Sequence, residues 1–260
     1  DKDATVGVAV IYDGKDTLAI NNQYYYPTLS VYKFHLALAV LHHLDKKNIP
    51  LNTRLYVRKS DLLQNTHSPM RDERPEGEFY ITIEDLLKYT VSKSDNNGCD
   101  ILFNYIGGTE VADKYIKSLG IKDVGINATE KEMHTKMENQ YLNWTSPLAM
   151  VQLLEIFQNK ALFPKKYKDL LTQMMIETST GPDKIKGLLP ENIIVGHKTG
   201  SSFRNSYGLN IADNDTGFIY LPNGKKYSLA IFVMNSMEDD TTNHRIIAEI
   251  SKAVFDYYNK

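Results

Sequence analysis

Residues 28–50 read TLSVYKFHLALAVLHHLDKKNIP, and this stretch decides the fold. Its apolar side chains recur at helical spacing and cover most sides of the predicted helix, which is typical of a helix buried at the centre of a domain. Thr28 is the expected N-cap, and Asn48-Ile49-Pro50 ends the helix. Ser30 and Lys33 stand three residues apart in its first turn, so both lie on one face. Lysines are rarely buried without a partner, so the inward position of Lys33 needs an explanation.

Strand patterns stand at both ends of the chain, and helical patterns fill the middle. The predicted strands cover residues 6–12, 17–20, 193–198, 216–220 and 227–233. The predicted helices after the first cover residues 82–92, 97–105, 110–118, 147–158, 166–178 and 246–254. Residues 127–144 have no clean period, and we expect them to form an extended loop of the kind that is often functional.

The simplest fold for this order of elements is α+β, built as an α/β sandwich. An antiparallel sheet formed by both termini carries the terminal helices, and an all-α domain is inserted into it. We expect an α/β domain of residues 1–27 and 182–260 and an all-α domain of residues 28–181. The active site is expected in the cleft between the two domains.

Composition excludes several functional classes. The 260 residues include 42% hydrophobic and 24% charged side chains, which is ordinary for a globular protein. A formal net charge of -2 gives no electrostatic basis for binding nucleic acid or an anionic membrane. No apolar run approaches the roughly 20 residues of a membrane span. The first residues lack the pattern of a secretory signal, which we interpret as a mature or trimmed form. Cys99 is the single cysteine, and its apolar helical face predicts a packed thiol.

Two more short motifs follow Ser30 and Lys33 along the chain. Ser94-Asp95-Asn96 stands between two predicted helices, and Lys198-Thr199-Gly200 ends a predicted strand. Each motif alone is weak evidence for a function. The first also suits an ordinary N-cap between two helices, and the second suits a charged residue at the edge of a sheet before a turn. Together the motifs supply a nucleophile, proton-handling groups and a substrate-binding strand, which are the parts that acyl transfer needs.

The motifs suggest a role for each polar group. The Ser94 hydroxyl would pass a proton to the leaving nitrogen, and Asn96 would bind the substrate amide and Lys33. Lys198 and Thr199 would bind a substrate carboxylate, and Gly200 would allow close backbone approach. The backbone N–H groups of Ser30 and Ser201 would form the oxyanion hole. A lysine with the usual pKa of about 10.4 is a poor base, so Lys33 could take the Ser30 proton only if burial and a nearby cation lowered its pKa by about three units.

These motifs resemble those of the class A serine β-lactamases over nearly the whole chain. The separations, 94 − 30 = 64 and 198 − 94 = 104, are similar to those of the family, as are Gly107-Gly108 and Thr180-Gly181-Pro182. The resemblance implies a β-lactamase/transpeptidase-like fold and hydrolysis of cephalosporins and penicillins through a serine acyl-enzyme. It implies that the protein confers antibiotic resistance and that its reaction needs no cofactor or metal. It also implies a monomer that acts on a small-molecule substrate and has no nucleic-acid or membrane partner. It also implies a periplasmic or secreted location.

The family uses a glutamate on a long loop to activate the water that hydrolyses the acyl-enzyme. Glu130 lies 36 residues after Ser94 (130 − 94), which matches the gap usual in the family. Glu132 is the nearest rival for this role, and Glu138 is a weaker one. The family resemblance leaves open whether Glu130 acts through a water or Lys33 acts directly to take the Ser30 proton.

Three positions depart from the commonest family pattern. His134 stands where an Asn is usual, and we expect it to hold the hydrolytic water. Ala128 and Thr129 precede Glu130, so an Arg that often clamps the loop is missing. Tyr207 stands where a strand Arg usually faces the Lys-Thr-Gly segment, and Lys184 is the expected cationic substitute. A sequence with these three departures resembles the Bacteroides-type cephalosporinases and some extended-spectrum enzymes within the family.

Two alternative functions share the three motifs. A penicillin-binding D,D-peptidase would turn over β-lactams very slowly, and a β-lactam sensor domain would stay acylated. Glu130 argues against both, since neither needs a deacylating glutamate. His67 is expected either to gate the cleft, as an aromatic often does in this family, or to lie on the surface.

Overall fold

A computed structural model describes residues 2–260. Its strands are β1 (Thr5–Tyr12), β2 (Asp16–Ile20), β3 (Tyr26–Pro27), β4 (Arg54–Val57), β5 (Phe79–Thr82), β6 (Val124–Gly125), β7 (Trp144–Thr145), β8 (Val195–Ser201), β9 (Asn210–Tyr220) and β10 (Lys226–Ser236). Its α-helices are α1 (Tyr32–Lys47), α2 (Pro69–Glu73), α3 (Ile83–Ser92), α4 (Asn96–Ile106), α5 (Thr109–Ser118), α6 (Glu130–Thr135), α7 (Pro147–Asn159), α8 (Lys165–Ile176) and α9 (Asp240–Tyr258). Short 3₁₀ helices cover Leu29–Val31, Lys59–Asp61 and Met137–Leu142.

Both ends of the chain contribute to one five-stranded antiparallel sheet, in the order β2-β1-β10-β9-β8. The register runs from Thr5↔Met234 to Tyr12↔Tyr227 between β1 and β10, and β8 is the edge strand beside β9. The predicted α+β fold is confirmed, with an antiparallel sheet, a terminal helix and a helical middle. Within residues 2–260, no helix has the length and apolar character needed to cross a membrane.

The sheet is covered on both faces, which explains why its strands are apolar without strict alternation. In β1, Ala9 and Ile11 join the cluster that contains α1 and α7, whereas Val8 and Val10 face the cluster that contains α9. Successive side chains of a strand point to opposite faces, so both sets are buried.

Helix α1 passes through the centre of the helical part, as its apolar sequence predicts. Every side chain from Tyr32 to Leu41 is buried, and Asn48 ends the helix in the left-handed conformation. Cys99 is buried against α1 and donates to Tyr32 Oη at 3.4 Å, so the predicted packed thiol is confirmed.

The predicted N-cap at Thr28 is wrong. Thr28 has helical backbone angles, and its side chain makes no capping hydrogen bond. A 3₁₀ turn over residues 29–31 intervenes before α1, and Leu29 has φ 44°, a conformation that no local sequence pattern announces.

Other boundaries also differ from the prediction. Strand β9 begins at Asn210 rather than at residue 216, because Asp213, Asn214 and Asp215 are polar strand residues that bind buried groups. The segment 127–144 is not an irregular loop, since it contains α6 and a 3₁₀ helix that are too short to give a clear period.

Candidate active site

A pocket of about 240 Å³ is lined by the 3₁₀ turn before α1, by α6 and by β8. Eight of the predicted site residues line it: Ser30, Ser94, Asn96, Glu130, His134, Thr199, Gly200 and Ser201. The other three, Lys33, Lys184 and Lys198, are buried behind the wall and reach it through hydrogen bonds. The structure therefore brings all eleven residues to one place.

Ser30 lies in a tight turn that β8 approaches closely. The left-handed backbone of Leu29, which costs on the order of 1–3 kcal/mol, directly precedes it. A side chain at Gly200 would collide with Thr28 O and would lie 3.0 Å from Val31 N and 3.1 Å from Ser30 N. Gly200 is therefore needed because β8 packs against the backbone that carries the nucleophile.

The edge position of β8 leaves one of its N–H groups facing away from the sheet. Ser202 N donates to Ala212 O of β9 at 2.8 Å. Because N–H groups alternate in direction along a strand, the N–H of Ser201 points to the open edge. The open edge lies beside Ser30, where the predicted pair of oxyanion donors would stand.

Lys33 is the centre of the hydrogen-bond network. Its ammonium is buried and donates to Ser30 Oγ at 2.9 Å, to Ser94 O at 2.8 Å and to Asn96 Oδ1. Glu130 Oε1 lies 3.0 Å from Lys33 Nζ as an ion pair. The three acceptors can take all three protons of an ammonium group, so the surroundings of Nζ suit a charged lysine.

Ser94 and Lys198 form the second proton-handling pair. Lys198 Nζ donates to Ser94 Oγ at 2.9 Å and to Thr199 O at 3.0 Å. Burial, and then the charge of Lys33, hold the pKa of Lys198 well below its ordinary value. The ammonium of Lys198 is therefore a better proton donor than a lysine in water.

Asp95 performs the capping role that Ser94-Asp95-Asn96 also suggested. Its carboxylate accepts from Gly98 N at 2.8 Å, from Met70 N at 2.7 Å and from Ser68 Oγ at 2.9 Å. Asp95 therefore builds the start of α4, as the N-cap interpretation predicts, while its neighbours Ser94 and Asn96 line the pocket.

Glu130 is the first residue of α6 and is buried at the pocket, with about 5% of its surface exposed. The rival Glu132 is exposed and completes a capping box with Thr129, whose N–H it accepts at 2.8 Å. Glu138 is exposed in the following 3₁₀ helix. The three glutamates are thus separated by location, and Glu130 alone of them lines the pocket.

Asp100 of α4 is a residue that the sequence analysis missed. Its carboxylate accepts from Glu130 N at 2.7 Å and from Lys131 N at 2.9 Å, so it holds the first turn of α6. Burial, and then the charge of Glu130, raise the pKa of Asp100 to about 6. The signal available in the sequence was an acid four residues after Asn96, on the same helix face.

His134 lies beside Glu130 with both ring nitrogens near protein partners. Nδ1 is 2.7 Å from Glu130 O, and Nε2 is 3.3 Å from Thr66 Oγ1. Thr66 in turn accepts from Asn96 Nδ2 at 2.6 Å. The neutral ring satisfies both contacts when Nδ1 carries the proton.

The predicted location of Tyr207 on a strand is wrong. Tyr207 lies in the turn between β8 and β9 and is 84% exposed, because β9 begins only at Asn210. Asp213 is the residue that pairs with Ser201 across the strands. Lys184 comes from a separate turn and donates to Ser201 Oγ at 2.8 Å, which brings a cation to this wall of the pocket.

Two aromatic residues stand at the pocket rim. His67 is exposed, lines the pocket and bonds to Lys93 O through Nε2 at 2.9 Å. Phe203 also lines it and is 78% exposed, and sequence analysis did not select it because it follows the Lys-Thr-Gly strand without a pattern of its own. In the part of the chain from Lys2 onward, no three His, Cys, Asp or Glu side chains are placed to share a metal ion.

Comparison with known proteins gives consistent matches over the whole chain. A model of the β-lactamase enzyme family matches residues 1–258. A β-lactamase of Bacteroides uniformis is 48% identical over 256 residues, which are 98% of this chain and 86% of the relative. The crystal structure of a class A β-lactamase from Bacteroides cellulosilyticus has 53% identity and a TM-score of 0.97, and the match covers 100% of this chain and 93% of that one. The TLA-3 extended-spectrum β-lactamase has 50% identity and a TM-score of 0.98, with 100% and 95% of the two chains covered.

Proposed function

The chain belongs to the β-lactamase enzyme family, in its class A branch, and we propose that it opens the β-lactam ring through an acyl-enzyme on Ser30. It is a serine β-lactamase, and hydrolysis of the β-lactam amide gives resistance to these antibiotics. The D,D-peptidase and sensor alternatives have no support among these relatives. The specific roles of the residues are our inference from the geometry of the pocket.

One observation carries the mechanism: Lys33 lies between Ser30 Oγ, at 2.9 Å, and Glu130 Oε1, at 3.0 Å. Charged Lys33 has no lone pair to accept the Ser30 proton, whereas the carboxylate of Glu130 can accept it. In acylation Glu130 therefore gains a proton by one of two routes. It takes the proton of Ser30 through a water molecule, or it takes one from Lys33, which then takes the proton of Ser30. Ser30 Oγ then forms a bond to the carbonyl carbon of the lactam.

The C–N bond of the ring breaks when its nitrogen receives a proton. Ser94 Oγ donates that proton and regains one from Lys198 Nζ, 2.9 Å away. The lowered pKa of Lys198 makes this transfer easier. The N–H groups of Ser30 and Ser201 stabilise the oxyanion, and each such donor is typically worth about 10²–10³ in rate.

Residues on opposite walls of the pocket orient the substrate. Asn96 binds the side-chain amide of the substrate, while Thr199, Lys198 and Ser201 receive its carboxylate. Lys184, which donates to Ser201 Oγ, adds positive charge at this wall. Gly200 keeps the strand in place against the turn of Ser30.

Deacylation needs a base beside the ester, and Glu130 is placed for it. Before this step, the proton that Glu130 took in acylation returns to Lys198, which supplied one to the ring nitrogen through Ser94. A water molecule in the pocket then gives a proton to Glu130 while its oxygen attacks the ester carbon, and Glu130 passes that proton to Ser30 Oγ as the ester bond breaks. His134 supports this step by bonding to the backbone oxygen of Glu130. We propose that it orders the water through the position of α6.

The setting of the enzyme is also a proposal. We place it in the periplasm or outside the cell, because its relatives are β-lactamases, and we take cephalosporins and penicillins as its substrates.

A monomer is sufficient, since the site residues all come from one chain. Residues 28–181 supply Ser30, Ser94 and Glu130, and residues 182–260 supply β8, which supports the two-domain division with the site at the join.

Turnover of a chromogenic cephalosporin tests the proposal. Steady turnover by the wild type is expected, whereas one stoichiometric burst would contradict the assignment as a β-lactamase. In Glu130→Gln, Lys33 is no longer held charged by a carboxylate and can take the proton of Ser30, whereas the hydrolytic water has lost its base. An adduct on Ser30 should therefore accumulate, and intact-protein mass spectrometry detects it. The matched control is Glu132→Gln on the same helix, which should turn over normally. Rapid turnover by Glu130→Gln would remove Glu130 from the mechanism.

A further inference from the structure

A charged network lies behind the wall of the pocket that receives the substrate carboxylate. Lys184 Nζ donates to Ser201 Oγ at 2.8 Å and also to the carboxylate of Asp213. Ser201 Oγ donates to Asp213 Oδ1 at 2.9 Å. Lys184 and Asp213 are each about 2% exposed. The Ser201 hydroxyl therefore already donates its only proton in a hydrogen bond to Asp213 before a substrate arrives.

His244, in the second turn of α9, contacts this network from outside the pocket. Its Nδ1 lies 2.7 Å from Asp183 Oδ2, and its Nε2 lies 3.2 Å from Asp213 Oδ2. Carboxylates accept hydrogen bonds, and a neutral imidazole has one N–H, so both contacts are hydrogen bonds only when the ring is protonated. The bond to Asp213 raises the pKa of His244 above its ordinary value, against the opposing effects of burial and the Lys184 charge.

The remaining charges near His244 lie on its own helix and are paired with each other or with a loop. Arg245 binds Glu249 at 2.7 Å, and Asp240 binds Arg204 at 2.6 Å. These four groups form two neutral pairs, in which Arg204 is half-buried and the other three are exposed. The turn that carries Asp183 and Lys184 and the strand that carries Asp213 supply the other charges facing the ring.

The protonation of His244 changes the charge that a substrate carboxylate meets. With protonated His244, two cations (Lys184 and His244) balance two anions (Asp183 and Asp213), so the sum is zero. When His244 is neutral, the net charge of these four groups is −1. A protonated ring also draws the charge of Asp213 toward itself, which weakens the hold of Asp213 on Lys184 and Ser201.

We propose that His244 is a positioning residue that, when protonated, strengthens binding of the substrate carboxylate at Ser201 and at the positive charge of Lys184 behind it. This inference rests on the proposed function, because it requires Ser201, to which Lys184 donates, to receive the carboxylate. His244 does not touch the substrate and acts through Asp213. The consequence is a KM that depends on pH while kcat does not follow the same titration.

The test measures kcat and KM for a chromogenic cephalosporin between about pH 5.5 and 9, a range that spans the titration of a histidine. In the wild type KM should rise by about three- to tenfold as His244 loses its proton, the size expected for one charge near a partly exposed site. In His244→Gln the KM at low pH should already equal the high-pH value of the wild type. In His244→Arg, which keeps a cation, KM should stay low throughout.

Two controls separate this effect from others. The 4-methyl ester of the same cephalosporin lacks the carboxylate and should show no such rise in KM. His43→Gln removes a histidine on the far part of α1 and should keep the wild-type profile. A flat wild-type KM, or an unchanged titration in His244→Gln, would overturn the role of His244 while leaving β-lactam turnover intact. Absence of turnover by the wild type would instead overturn the proposed function.

Discussion

Lys33 Nζ lies 3.0 Å from Glu130 Oε1 in a site where the two side chains are 0% and 6% exposed. The pair joins α1, which carries the nucleophile, to α6, which carries the base. A buried charge that loses its partner is costly, commonly about 3–5 kcal/mol. The pair therefore couples the stability of α6 to the chemistry at Ser30.

Lys33→Met should impair both acylation and folding. The variant leaves Glu130 buried without its cation and removes a donor from Ser30 Oγ, so we expect a rate loss of about 10²–10⁴ in acylation and a fall of about 3–5 kcal/mol in the free energy of unfolding. Pre-steady-state acylation and urea denaturation measure the two effects. Lys131→Met, on the exposed side of α6, is the matched control and should change neither. A Lys33→Met enzyme with normal acylation would contradict the placement of Lys33 in the proton path.

Asp100→Asn should change the pH dependence of stability. The pKa of Asp100 is about 6 in the folded protein, above the usual 3.8, so its contribution to stability is complete below pH 3.8 and is lost as the pH rises through 6. Two pKa units correspond to about 3 kcal/mol. The stability of the wild type relative to Asp100→Asn should fall by about that amount between pH 4 and 7, and urea denaturation at several pH values measures it. A difference that does not vary with pH would exclude the titration of Asp100 in this range.

Sequence analysis selected some site residues from local spacing, and it selected Glu130, His134 and Lys184 from the family resemblance. Ser30 and Lys33 share one helical turn, and Lys198 to Ser201 share one strand, so spacing alone places them together. Asp100, Asp213 and His244 were missed because their partners are Glu130, Lys184 and Asp213, between 29 and 31 residues away (130 − 100 = 30, 213 − 184 = 29, 244 − 213 = 31). Hydrogen bonds between separate elements leave no periodic trace in the sequence. The positive φ of Leu29 was missed for a related reason, since this turn packs against β8, which is about 170 residues away in the sequence.

His35→Leu should protect the protein against acid. His35 is buried in α1, and neither ring nitrogen makes a hydrogen bond of good geometry to any other group between Lys2 and Lys260. Burial lowers the pKa of His35 to about 4, against a smaller opposite effect of the Val31 backbone. The neutral ring is thus favoured by folding, and its contribution is lost as the pH falls from about 6.5 to 4, by about 3 kcal/mol. Thermal unfolding of His35→Leu should be less sensitive to pH in this range. Burial also lowers the pKa of His43, which lies at a more exposed position of the same helix, so His43→Leu should keep most of the wild-type sensitivity.

Gly200→Ala should reduce activity much more than stability. A methyl group at this position would collide with Thr28 O and press on the N–H groups of Ser30 and Val31, so β8 and the turn of the nucleophile must separate. A shift of a few tenths of an ångström moves the Ser30 N–H relative to that of Ser201, and loss of one oxyanion donor lowers kcat by about 10²–10³. Gly108→Ala is an informative contrast, because Gly108 has φ 106° and an added methyl group would meet nothing within 4 Å. That variant should lose stability through backbone strain of about 1 kcal/mol or more and keep its kcat. If the two alanine variants lost activity in equal measure, the effect of Gly200 would be one of general stability, and the close approach of β8 to Ser30 would have no special part in catalysis.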